Sequence, residues 1–319
     1  MISRRLLRIK TLMSLYAFNR RDDNNLPNAE KELIFSIEKT YELYHLLFLL
    51  LIEIHDIAID KIEQAKHKNI PTQEDLNPNY RFVENRVLAQ LRNNETLGRY
   101  AEEKKLSWVN YRHVVRSIYN EMVEWDIYNQ YMNAPLNNYQ SDKKFIVQMV
   151  TKLFPVLDEL ENSLEEMSIY WNDDMEYVAV MVGKTIRKFK AGDRSIKEFM
   201  PLFKSEDDLD FVKILFRKAV LNGGKYLELI DKHTTNWEVE RIALMDILVM
   251  QMAINEIVEF SDIPVKVTLN EYIEIAKYYC TSKSATFVNG ILDNIVKEIK
   301  ETGMFSKSGR GLVDMSDIK

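Results

Sequence analysis

The chain has 319 residues, 46% hydrophobic and 29% charged, with a formal net charge of −6; this is the balance of a globular protein with material for two domains, and it excludes disorder as the default state. Nine glycines and seven prolines are few, and stretches rich in Leu, Ile, Glu and Lys recur, so the composition points to an all-α protein with short connections. The single cysteine, Cys280, excludes an internal disulfide framework and a CxxC metal knuckle and agrees with a reducing cytoplasmic location.

Residues 1–21 contain Arg4, Arg5, Arg8, Lys10, Arg20 and Arg21 and no acid, so the net −6 divides into +6 on this segment and −12 on the rest. No apolar core or small-residue cleavage site follows the arginines, as a secretory leader requires. A helical wheel gathers Leu6, Ile9, Leu12, Met13 and Tyr16 on one side and sets Arg4 and Arg8 on the other, with Arg5 at the border. Two readings stay open: a solvated basic face, or guanidinium groups presented to phosphates and bases.

A polar linker with Pro27 precedes a long helix predicted over Glu30–Lys68, which contains the apolar run Leu46–Ile52. That run is too short to span a membrane and reads as a buried segment, with a partner-facing groove as the alternative. Asn69-Ile70-Pro71 and Asn77-Pro78-Asn79 break the pattern, one or two helices follow over residues 80–132, and Ala134-Pro135-Leu136 punctuates again. Phe145–Ile169 reads as a helix with a kink or restart at Pro155, and Glu176–Lys190 as another, ending at Ala191-Gly192.

Ser205, with Asp208 three residues on, resembles a capping box for a helix through Phe211, Leu215 and Ala219. Asn222-Gly223-Gly224 interrupts it before Tyr226–His233, and an apolar helix is predicted from Glu238 to Ile257 after Trp237. Pro264 suits a helix entrance, and Asn270–Tyr279 follows with Leu269, Ile273 and Ala276 on one stripe. The hydroxyls of Thr281-Ser282-Lys283-Ser284 can cap a last helix carrying Phe287, Val288, Ile291, Leu292, Ile295, Val296 and Ile299, which stops at Gly303. Gly290 inside this helix suggests a close backbone contact, since a helical glycine costs about 1 kcal/mol relative to alanine. Residues 305–319 read as a flexible tail.

Trp237-Glu238-Val239-Glu240-Arg241, Ile263-Pro264-Val265-Lys266-Val267, Asn270-Glu271, Ala276-Lys277 and Phe287-Val288-Asn289-Gly290-Ile291-Leu292-Asp293 together resemble the NusB family of transcription antitermination factors. Arg4-Arg5-Leu6-Leu7-Arg8 and Leu15-Tyr16 likewise resemble that family's arginine-rich first helix. The resemblance implies a NusB-like pair of packed three-helix bundles, enlarged here by helices inserted after the first. The expected organisation is residues 1–21 as the first helix, 22–200 as an inserted helical region, 201–304 as the remainder and 305–319 as tail. It further implies binding of boxA-type RNA together with NusE, a small-subunit ribosomal protein, within an RNA polymerase antitermination complex.

By that resemblance Arg4, Arg5, Arg8, Lys283 and Phe287 contact RNA, while Tyr16 and Asp246 face NusE. Phe287 would then offer a stacking platform worth about 1–3 kcal/mol per base; by burial preference alone it is a core residue. The sequence departs from the family's pattern at Gln251 and Asn255, where many members carry Arg and Tyr, and at Ile247, where a basic residue is usual.

Other chemistry finds little support. The five histidines have no ligand spacing, the acidic pairs Asp173-Asp174 and Asp207-Asp208 suit helix starts, and Ser308-Gly309-Arg310-Gly311 precedes no clear helix. No enzyme activity, metal or cofactor is therefore expected. A scaffold that docks another transcription or ribosome component through residues 30–200 is the alternative. NusB-like domains also occur in RNA methyltransferases, but no Gly-rich cofactor fingerprint is present here.

Overall fold

The computed structural model describes residues 1–23, 25–192, 199–234 and 241–313, and every regular element among them is helical. The expected helix start at Glu238 falls outside the described residues, and among these the helix predicted to Ile257 begins only at Leu244. In chain order the helices begin with α1 (Arg4–Asn19) and α2 (Leu26–Lys66). Then come α3 (Gln73–Leu76), α4 (Arg86–Arg92), α5 (Glu95–Lys104), α6 (Arg112–Glu124), α7 (Asp126–Asn133) and α8 (Tyr139–Gln148). After α9 (Asp158–Met167) and α10 (Met175–Lys188) the chain ends with α11 (Glu206–Leu221), α12 (Gly223–His233), α13 (Leu244–Glu259), α14 (Val265–Tyr279) and α15 (Ser284–Glu301).

Two compact units result. Unit 1 comprises Met1 and Glu38–Leu202, and unit 2 comprises Ile2–Ile37 and Phe203–Lys319. The first turns of α2 group with unit 2, where the sequence placed the boundary near residue 21. Ion pairs join this part of α2 to unit 2: Arg217 grips Glu30 through Nε at 3.0 Å and Nη2 at 2.9 Å, and Arg21 meets Glu32 at 2.6 Å.

Unit 1 is built on the apolar part of α2. Leu46, Leu47, Phe48, Leu50 and Leu51 are buried, and Trp108 donates its indole N–H to the Leu46 carbonyl at 3.0 Å. The restart predicted at Pro155 within Phe145–Ile169 is present, and the span divides into three pieces. α8 widens into a π-turn at Met149–Leu153, a 3-10 turn at Phe154–Val156 holds Pro155, and α9 restarts at Asp158. The ring of Pro155 and its missing N–H break the ladder, and Asp158, Glu159 and Glu161 in the new first turn suit the helix dipole. The widened turn presses on α10: a Cβ built on Gly183 would stand 2.7 Å from Thr151 Cγ2.

In unit 2, α13 is buried from Leu248 to Ile257. It packs against α14 and α15, which also pack on each other, and against α1, α11 and α12. Lys307, buried, donates to the carbonyls of Ile257 at 2.9 Å and Phe260 at 2.8 Å, an ammonium at the negative end of α13. Burial lowers its pKa to about 8. Residues 307–313 are thus held, with Ser308 N donating to Ser261 O at 2.9 Å, where the sequence suggested a flexible tail.

Local details correct several expectations. Ser205 makes no side-chain cap; Asp208 accepts from Lys204 N at 3.2 Å instead. α14 starts at Val265 and buries Val265, Thr268, Tyr272, Ile275 and Ala276, so its inward stripe is rotated from Leu269 and Ile273. Among the described residues a Cβ on Gly290 would meet nothing within 4 Å, and the close contact expected there is absent. Gly303 does adopt φ +66, with Gly303 N bonded to Lys300 O and Met304 N to Ile299 O, the paired bonds of a Schellman stop.

Candidate nucleic-acid interface

Ser3 caps α1 by accepting from Leu6 N, and Leu6, Leu7, Thr11, Leu12 and Leu15 bury the helix in unit 2. This face differs from the one drawn on the wheel, and the difference decides what each arginine does. Arg5, expected at the border, is the most exposed of the three, at 50% of its side chain. Arg4 is 34% exposed. Arg8, expected on the outer face, is 4% exposed.

Each guanidinium meets an acid from a distant part of the chain. Arg4 Nε donates to Asp208 Oδ1 at 3.2 Å, with its guanidinium 5.0 Å from the Phe211 ring centroid. Arg5 forms a fork with Glu271, Nε and Nη2 each donating at 2.8 Å. Arg8 forms another with Glu256, at 2.7 and 2.6 Å, and its Nη1 lies 3.6 Å from Glu271.

Glu256 also accepts from Thr268 Oγ1 at 2.9 Å and Tyr272 OH at 3.1 Å. A fully buried carboxylate requires this kind of saturation. Burial pulls the Arg8 pKa down, but the hydrogen bonds and charge of Glu256 outweigh it and hold the guanidinium above its ordinary value. The hydrogen bond with Arg5 holds Glu271 below the usual carboxylate value and raises Arg5. The three arginines that looked like an uncompensated basic strip are therefore each paired with an acid.

Lys283 and Phe287 form a second cluster at the first turn of α15, where Lys283 is exposed and Phe287 half-buried. Here the loop hydroxyls hold Asp246 rather than cap the helix: Ser284 Oγ donates to Asp246 Oδ2 at 2.9 Å and shares a 2.8 Å contact with Thr281 Oγ1. Asp246 is buried, with Oδ1 unpartnered, and burial together with this carboxylate pushes the Cys280 thiol well up. The residue expected to face a partner protein thus lies beneath the loop expected to face RNA. Tyr16 is apart from both, half-buried near the end of α1, with the Arg20 guanidinium 5.4 Å from its ring.

α14 connects the two clusters, since Glu271 on it meets Arg5 and its C-terminal end leads into the Lys283 loop. The pairing of Asp208, Glu256 and Glu271 with the arginines, and the hydroxyls of Thr268 and Tyr272 on Glu256, were not anticipated from the sequence. Glu256 had a signal: it is the one charged residue in the stretch Leu248–Ile257. Among the described residues no cluster of His, Cys, Asp and Glu suits a metal ion, and no helix is long and apolar enough to cross a membrane.

The NusB family model matches residues 191–297. A protein of Salinibacter ruber described as transcription antitermination protein NusB is 41% identical over 120 residues, covering 38% of this chain and 75% of that protein. A protein of the same description from Chloroherpeton thalassium is 46% identical over 106 residues, 33% of this chain and 50% of the relative. A third, from Natranaerobius thermophilus, is 32% identical over 95 residues, 30% of this chain and 68% of the relative. No solved structure matches the chain significantly.

Proposed function

This chain belongs to the NusB family, and we propose from that premise that it acts in transcription antitermination, binding boxA-type single-stranded RNA together with NusE in an RNA polymerase antitermination complex. The observation that carries the reading is the Arg5 fork, half-exposed and already oriented by Glu271. A phosphate has the bidentate geometry of the carboxylate it would replace. Arg4 and Arg5 contact the RNA backbone. Arg8, sealed against Glu256, fixes the helix that presents them and is a positioning residue.

Lys283 adds a cation at the other end of α14, and Phe287 supplies part of a stacking surface for an unpaired base. Tyr16 and Asp246 are the proposed contributors to the NusE side, Asp246 by shaping the loop above it.

A titration over a salt series with boxA RNA and a scrambled RNA, each with and without NusE, tests the proposal. Each phosphate contact adds about 0.7 to the logarithmic salt slope on a single strand. The expected result is tighter binding to boxA RNA, strengthened by NusE. Equal binding of scrambled RNA in every condition overturns it.

A further inference from the structure

Unit 1 carries a cleft of about 250 Å³ lined by Arg81, Ile127, Tyr131, Ser141, Lys144 and Phe145, among others. Arg81 is 7% exposed, yet no acid pairs with it among the described residues. Its guanidinium donates to the Ala134 and Leu136 carbonyls and to Ser141 Oγ, all neutral acceptors, and lies 4.7 Å from the Tyr131 ring centroid. Asp142, close in sequence to this loop, is engaged elsewhere, receiving Arg86 Nη1 at 2.7 Å and Tyr131 OH at 2.9 Å. Arg81 Nε is buried without any hydrogen-bond partner.

A buried cation without a counter-charge and a buried N–H without an acceptor are both unfavourable, and one ligand corrects both. We propose that this cleft binds a carboxylate carried on a small apolar or aromatic body. Binding opens the cleft wall enough for the carboxylate to accept from Arg81 Nε–H and neutralise the guanidinium, with Lys144 adding charge at the rim. The body rests on the stacked rings of Tyr131 and Phe145, whose centroids are 4.3 Å apart, and on Ile127. A free aromatic or branched acid has this chemistry, and so does the C-terminal residue of a protein chain. The inference is independent of RNA binding, since every residue in it belongs to unit 1.

Calorimetric titration of the full-length protein at constant ionic strength, with benzoate, acetate, inorganic phosphate and N-acetylphenylalanine, tests it. Benzoate is expected to saturate one site, with acetate about tenfold weaker for lack of an apolar body. Lys144→Gln, at an exposed lysine, weakens benzoate up to about fivefold without lowering the melting temperature. Ile127→Asp, which sets a competing carboxylate in the cleft, abolishes binding. N-acetylphenylalanine binding tighter than benzoate assigns the site to a chain terminus, and weaker binding assigns it to a free acid. Absence of saturation, phosphate binding tighter than benzoate, or unchanged affinity in both variants overturns the proposal.

Discussion

Arg8 on α1 and Glu256 on α13, 248 positions apart, are joined by two hydrogen bonds of 2.7 and 2.6 Å, with the two side chains only 4% and 0% exposed. Removing either partner strands a buried charge, which costs about 3–5 kcal/mol, whereas replacing both with apolar residues of similar volume is often close to neutral. Arg8→Ala is therefore expected to lower the urea midpoint sharply, and Arg8→Met with Glu256→Leu to recover most of the loss. A single Arg8→Ala variant as stable as the parent, with weakened RNA binding, would make Arg8 an RNA contact and not an anchor.

At the surface the same chemistry has the opposite consequence. Glu271 occupies the Nε–Nη2 edge of Arg5, one that a phosphate would use, so Glu271→Gln should free that edge of the guanidinium. The pair is exposed enough that its coupling is at most about 1 kcal/mol. The variant is thus expected to bind boxA RNA up to about fivefold more tightly near physiological salt, with the gain shrinking as salt screens the charges. Arg5→Ala should weaken binding and flatten the salt slope. Weaker binding by Glu271→Gln would show that the carboxylate orients Arg5 for RNA more than it competes.

Local signals in the chain were legible and long-range ones were not. Asn222-Gly223-Gly224 does separate α11 from α12, and Gly303 does end α15, because turn and stop chemistry acts over a few residues. The π-turn after Gln148 leaves no local signal, because its residues keep an ordinary helical pattern while the ladder widens. The buried stripe on α14 differs from the predicted one because the helix begins at Val265, five residues before Asn270, and Val265 and Thr268 set its inward face. For the candidate site, the arginines were visible in the sequence, but their exposure depended on acids more than 200 positions away at Asp208, Glu256 and Glu271.

Two glycines show how close approach differs from composition. Gly290→Ala adds a methyl group into open space and restores helix propensity, so it is expected to stabilise the protein by about 1 kcal/mol. Gly183→Ala drives a Cβ to 2.7 Å from Thr151 Cγ2 against the π-turn, and overpacking of this kind costs about 1–3 kcal/mol. Chemical denaturation of the two variants beside the parent checks both signs. A stabilised Gly183→Ala would mean that the π-turn yields without cost.

His45 gives unit 1 a sensitivity to acid. Its ring lies 3.8 Å from that of Tyr100, its Nδ1 is 2.9 Å from the Tyr41 carbonyl oxygen, and burial lowers its pKa from 6.5 to about 4. Because a carbonyl only accepts, Nδ1 carries the proton of the neutral ring. Between pH 6.5 and 4 the unfolded chain binds a proton at this position that the folded chain does not, so stability falls as the pH drops through that window. The displacement corresponds to about 3 kcal/mol at full extent. His45→Phe keeps a ring in the stack and removes the titration. Its unfolding free energy should fall less than the parent's between pH 7 and 4, by about that amount, while carboxylates and His55 contribute equally to both proteins. Parallel pH profiles for parent and variant would show that protonated His45 is accommodated in the fold.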